Sequence, residues 1–282
     1  MKKILVLICV LLFVAVLAQS FYIYQSQFLK KDIIKEKIIQ KPLLYYTFEN
    51  LKNTKFAENQ ILLGPVISED EDSFQQMFYF SAPQTPDNKQ SVKVSGLANI
   101  PKKEGEYPLI VMFRGFIPED IYEPGAGSQP SASQLVKNSF ITLAPDFLGF
   151  GQSASPSADP FEERFQTYTT ALTLLESLQT LNKGLETDYE GTISADLQKI
   201  GLWGHSNGGH IALSTLAITG KQYPTVLWAP VSKSFPYSIL YYTDESDDQG
   251  KAMRKSLASF EELYDTKLFS PEKYYRWIIA PI

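Results

Sequence analysis

Ile200-Gly201-Leu202-Trp203-Gly204-His205-Ser206-Asn207-Gly208-Gly209-His210-Ile211 is the stretch on which the fold turns. Its first residues are apolar enough for a buried strand, and Ile211 to Ile218 continue as an apolar helix. Between them lies Gly-x-Ser-x-Gly, with Gly204 and Gly208 flanking Ser206. The five-residue pattern alone arises by chance in about one chain in ten of this length, so its setting decides its meaning. A strand leading in and a helix leading out describe a sharp, strained turn that leaves no room for a Cβ on either side of the serine. Such a turn holds Ser206 Oγ above a sheet. It also aims the N–H of Asn207, at the helix start, at the place where an oxyanion forms. Ser206 is the candidate nucleophile and Asn207 N–H a candidate oxyanion donor.

Outward from this turn, strands and helices alternate. Met77 to Ser81 and Val92 to Ile100 read as two strands around the turn-rich stretch Ala82 to Asn88. Pro108 to Phe113 and Phe140 to Ala144 are short continuous apolar runs, the mark of strands buried on both faces. Ser131 to Asn138 fits a short helix between them. Tyr168, Ala171, Leu172, Leu175 and Leu178 recur at helical spacing, and Thr225 to Val231 reads as a further strand. This order predicts a mostly parallel sheet with helices on both faces, and ligands bind beyond the carboxyl ends of its strands.

Arg114-Gly115-Phe116-Ile117-Pro118, Pro145-Asp146-Phe147-Leu148-Gly149-Phe150-Gly151-Gln152-Ser153 and Trp203-Gly204-His205-Ser206-Asn207-Gly208-Gly209 each follow or end such a strand. Together they resemble the catalytic domain of the prolyl oligopeptidase (S9) branch of the α/β-hydrolases, over about residues 75 to 282. The resemblance implies an α/β-hydrolase fold with a small helical cap and a serine peptidase, with an esterase as alternative, acting on a peptide or ester substrate. It carries the second oxyanion donor to the backbone N–H of Phe116. Arg114 stands where the family commonly has histidine, and Asp146 reads as a residue that fixes loop geometry. No metal or cofactor is implied. The β-propeller usual in that branch has no room between Pro42 and Ser73.

A serine hydroxyl needs a base, ordinarily an imidazole oriented by a carboxylate. The chain has two histidines, His205 beside the nucleophile and His210 one helical turn on, and both read as packing residues. In this fold the order is serine, acid, histidine, and no histidine follows His210. Arg276 to Ile282 reads as the start of a buried strand. The expectation is that the sequence is truncated there, with the last strands, the acid and the base beyond Ile282. A non-catalytic binding protein that has lost its base is the competing reading. Asp244, Glu245, Asp247 and Asp248 read as a solvated acidic loop. Lys233 to Tyr275, with a helix from Lys251 to Leu263, reads as a cap, and Phe235, Tyr237, Tyr241 and Tyr242 as residues that line a pocket or simply pack. Trp228-Ala229-Pro230 is expected as one wall of the site.

Composition sets outer limits. Over 282 residues, a net charge of -5 and 44% apolar residues exclude wholesale disorder and offer no broad basic surface for nucleic acid. The single cysteine, Cys9, lies in the first apolar run, so no disulfide or cysteine-ligated metal site is expected. Lys2 and Lys3 precede the apolar stretch Ile4 to Ala18, which fits a cleaved export signal or, counted to Tyr24, an uncleaved membrane anchor. Residues 25–55 are expected as stalk and linker, with Phe28 to Leu44 as an amphipathic helix on lipid or a solvated spacer. The globular domain is expected over 56–282 and the protein outside the cytoplasm.

Overall fold

The computed structural model describes residues 14–25, 41–87, 90–243 and 246–282. The basic start and most of the apolar run of the expected targeting segment, and residues 28–40 of the expected stalk helix, lie outside the described residues. The chain divides into two units, Met1–Pro42 and Leu43–Ile282. In the first, residues 14–25 are helical and exposed. Among the described residues no helix is long and apolar enough to cross a membrane.

The second unit is built on a seven-stranded sheet. Its strands are β1 (Leu62–Glu69), β2 (Ser73–Pro83), β3 (Ser91–Pro101), β4 (Gly105–Phe113), β5 (Ile141–Pro145), β6 (Ile193–His205) and β7 (Thr225–Trp228). They lie in the order β1-β2-β3-β5-β4-β6-β7. β2 and β3 form the expected hairpin, paired from Ser73↔Pro101 to Pro83↔Ser91. The pairings β1–β2, β2–β3 and β3–β5 are antiparallel, whereas β4–β5, β4–β6 and β6–β7 are parallel. The sheet is therefore mixed, where a mostly parallel one was expected. The parallel half is the one that presents Ser206.

The helices are α1 (Phe48–Asn53), α2 (Gln129–Lys137), α3 (Pro160–Ser177), α4 (Leu181–Asp188), α5 (Asn207–Thr219), α6 (Tyr237–Thr243) and α7 (Lys251–Glu261). The pleat of β4 sorts the layers. Leu109, Val111 and Phe113 point into the main core with Ala171, Leu174, Leu178 and Leu216, while Met112 on the opposite face meets Ala132 of α2 and Trp203. That second face is thinly covered, and a groove of about 1040 Å³ runs along Ile110, Trp203, Val226 and Ile282. Helix α5 is buried along Gly208 to Ile218 and ends on Gly220 in the left-handed region at φ 61, the stop that only glycine adopts without strain.

Two expected boundaries change. Leu43, Tyr46, Phe48 and Leu51 are buried with Phe165, Tyr168 and Tyr274, and Phe48 stacks on Tyr274 at 4.7 Å. Residues 43–55, expected as linker, thus belong to the core. Arg276 to Ile282 does not form the expected buried strand. A 3-10 turn covers Tyr275–Trp277, Ile279 and Ile282 are 60% and 62% exposed, and the tail meets β7 through the bond from Thr225 N–H to Pro281 O at 3.0 Å.

Candidate active site

β6 ends at His205 and α5 begins at Asn207, which leaves Ser206 alone at the corner with φ 51 and ψ -117. A non-glycine residue in this conformation is strained and persists only where its surroundings dictate it. Here they do. Ser206 N–H donates to Trp228 O at 3.0 Å, and Ser206 O accepts from Gly209 N–H at 3.0 Å and Val231 N–H at 2.9 Å. β7 and the segment after it therefore clamp the corner from one side.

The flanking glycines are required by space. A Cβ at Gly204 would lie 2.8 Å from Gly208 O, and one at Gly208 would lie 1.8 Å from Phe113 O. The loop after β4 closes over the corner from the other side, because a Cβ at Gly115 would meet both His205 Nδ1 and Ser206 Cβ at 3.1 Å. Next along that loop is Phe116, which is 78% exposed. The N–H groups of Phe116 and Asn207 make no hydrogen bond to the described residues. Both residues line one cavity of about 200 Å³. The structure thus brings Ser206, Asn207, Phe116, Gly204 and Gly208 to one corner.

What holds the Phe116 loop is Arg114, whose part the sequence left open. Its Nη1 donates to Gly115 O and its Nη2 to Asp146 O, both at 3.0 Å. Its guanidinium lies over the rings of Phe150, at 4.1 Å, and Tyr122, at 4.6 Å. Asp146 is buried and accepts from Ser95 Oγ and Tyr122 Oη, both at 2.6 Å. Burial raises the Asp146 carboxyl, and those two bonds and the Arg114 charge work against the rise. A Cβ at Gly151 would crowd Asp146 Oδ2 at 2.2 Å. Asp146 is the hub that joins the loops after β4 and β5, as its reading as a geometry-fixing residue anticipates.

Neither histidine is placed to serve Ser206. His210 is buried, its Nε2 pairs with Tyr168 Oη at 2.8 Å, and burial pushes it down to about 3, helped by the charge of Arg164. His205 packs on Trp228 with ring centroids 4.9 Å apart and makes no hydrogen bond to Ser206 Oγ.

The cap departs from expectation. Phe235 is buried among Phe161, Phe165, Phe260 and Phe269. Tyr237, Tyr241 and Tyr242 are 65%, 65% and 54% exposed. None of the four lines the cavity beside Ser206, because α6 turns its tyrosines outward while Phe235 fills the core beneath. Asp248 accepts from Gly250 and Ala252 N–H groups at the start of α7, at 2.8 and 2.7 Å, which is a capping role. Asp244 and Glu245 lie outside the described residues.

The sequence matches no protein-family model and no curated protein. Among solved structures it is similar to an acetyl xylan esterase from Paenibacillus sp. R4, with TM-score 0.55 and 16% identity over 87% of this chain and 78% of that one. It is also similar to the α/β-hydrolase GrgF from Penicillium sp. sh18, with TM-score 0.43 and 14% identity over 73% and 78%. A ligand-bound form of the rice cell wall degrading esterase LipA from Xanthomonas oryzae gives TM-score 0.44 and 15% identity over 82% of this chain and 66% of that chain, just under two thirds of its length. The strand order, the serine corner and the likeness to the first of these agree: the chain has the α/β-hydrolase fold.

Proposed function

We propose that the protein is a serine hydrolase that cleaves a carboxylic ester through an acyl-enzyme on Ser206. The observation that carries this reading is the Ser206 corner at φ 51, ψ -117. Next to that corner lie the backbone N–H groups of Phe116 and Asn207, which make no hydrogen bond to the described residues and line one cavity. Ser206 Oγ attacks the carbonyl carbon as its proton passes to a base, and the N–H groups of Phe116 and Asn207 stabilise the tetrahedral oxyanion. Collapse expels the alcohol with that proton, and water then releases the acid from Ser206. Neither His205, packed on Trp228, nor His210, paired with Tyr168 Oη, makes a hydrogen bond to Ser206 Oγ, and neither is assigned as this base.

Ester cleavage is favoured over peptide cleavage by the likeness to an acetyl xylan esterase. The peptidase reading rests on the S9-like stretches around Arg114, Asp146 and Ser206. Hydrolysis of p-nitrophenyl acetate and of a peptide p-nitroanilide by the protein expressed from its natural gene distinguishes the two. Ester turnover that disappears in Ser206→Ala supports the proposal. A folded protein inert toward both substrates supports the non-catalytic binder. The basic start and apolar run of residues 1–24 support export or membrane anchoring, and fractionation of expressing cells tests it.

A further inference from the structure

The cavity beside Ser206 holds two guanidinium groups in different circumstances. Arg114 has its charge matched by two carbonyl oxygens, two aromatic faces and the buried Asp146, although its Nε is closed to solvent without a partner. Arg164, on the first turns of α3, lines the same cavity and has no such match. Its Nη2 makes a long 3.5 Å bond to Ser238 Oγ, and its Nε is closed to solvent with no partner. No carboxylate of the described residues lies within ion-pairing distance of it. The residue as a whole is only half-buried, yet a guanidinium partly withdrawn from water without a counter-charge is costly to the fold, and a ligand carboxylate would supply the missing charge.

We propose that Arg164 anchors a carboxylate on the acyl portion of the substrate, so that the protein acts on half-esters of short dicarboxylic acids. The proposal rests on the serine hydrolase reading above and names its substrate class. Phe116 and Asn207 form the wall next to the nucleophile, and Phe147, Leu148 and Ile211 supply apolar surface for the methylenes between the ester and the distal carboxylate. At about 200 Å³ the cavity matches the size of a short acyl chain. The one carboxylate on its wall is Glu163, on the exposed side. Partial burial and the charge of Glu119 raise it above the ordinary carboxylate range, and it makes no ion pair with Arg164. Bidentate pairing of a planar guanidinium with a carboxylate then gives both charge and direction.

The test compares p-nitrophenyl hemisuccinate with the neutral p-nitrophenyl butyrate, in the protein expressed from its natural gene and in Arg164→Gln and Arg164→Lys. Expected is a kcat/KM ratio favouring the hemisuccinate at least tenfold. That ratio falls at least tenfold in Arg164→Gln, mainly through KM, and recovers in part in Arg164→Lys. Ser206-dependent turnover with the same ratio in all three proteins overturns the proposal. If neither ester is hydrolysed, the hydrolase reading fails, and calorimetric titration with succinate still decides the anion site. Binding lost in Arg164→Gln supports it, and no binding to the unsubstituted protein overturns it. Matching thermal melts establish that the variants are folded.

Discussion

Gly208 sits directly under the carbonyl of Phe113, so closely that a Cβ there would fall 1.8 Å from the oxygen. The end of β4 and the start of α5 thus share a space that only glycine leaves open, and this contact sets the height of Ser206 above the sheet. Gly208→Ala pushes backbone against backbone, beyond the roughly 1–3 kcal/mol of ordinary overpacking. The expected outcome is a fall in melting temperature of at least several degrees together with loss of ester turnover. Unchanged melting and turnover would show that the corner is not built this way.

Arg114 is the strap between the loops after β4 and β5. Arg114→Met keeps the stem and the contact with Phe150 but removes the bonds to Gly115 O and Asp146 O. Loss of charged hydrogen bonds of about 1.5–3 kcal/mol each loosens the loop that carries the Phe116 amide. We expect kcat to fall about tenfold or more with KM little changed, since an oxyanion donor acts in the transition state. A purely structural part would lower stability and leave the kcat of the remaining folded protein intact.

His210 makes stability depend on pH with a definite sign. Its pKa drops from an ordinary 6.5 to about 3 on folding, so between those values the unfolded chain binds a proton that the folded chain refuses. Stability is fully present above pH 6.5 and is lost as pH falls toward 3, at about 1.4 kcal/mol per pH unit from this group. His210→Gln, which retains a partner for Tyr168 Oη, flattens the urea-unfolding profile in that window. An equally steep profile in the variant would assign the dependence to other groups.

The cap divides into load and decoration. Phe260→Ala removes a ring that meets Phe161, Phe165, Phe235 and Phe269, and should cost about 3–5 kcal/mol. Tyr237→Ser, Tyr241→Ser and Tyr242→Ser touch exposed rings and should each stay within about 0.5 kcal/mol. Denaturant midpoints measure both, and a large loss at the tyrosines would contradict their placement.

The serine corner, the β2–β3 hairpin and the buried strands β4 and β5 are legible in the sequence because each is a local pattern: glycine spacing, a turn-rich break, or a continuous apolar run. What escaped depends on distant partners. β1 reads poorly because it is an exposed edge strand containing Pro65, which an edge tolerates. The first half of β6, Ile193 to Lys199, is polar and pairs with β4 across an irregular register at Pro108/Leu109. Phe48 is a core residue because Tyr168 and Tyr274, both far along the chain, pack on it. Arg114 gains its part only where Asp146 is brought alongside. Arg276 to Ile282 looks like a strand, but the tail meets β7 through the single bond from Thr225 N–H to Pro281 O among the described residues.

The central claim is that Ser206 is an activated nucleophile, and labelling with a fluorophosphonate followed by peptide mass spectrometry tests it most directly. On the protein expressed from its natural gene, the expected result is one adduct, on the peptide containing Ser206, formed within minutes and absent in Ser206→Ala. A folded protein that remains unlabelled, or that carries the adduct on a different serine, would contradict it.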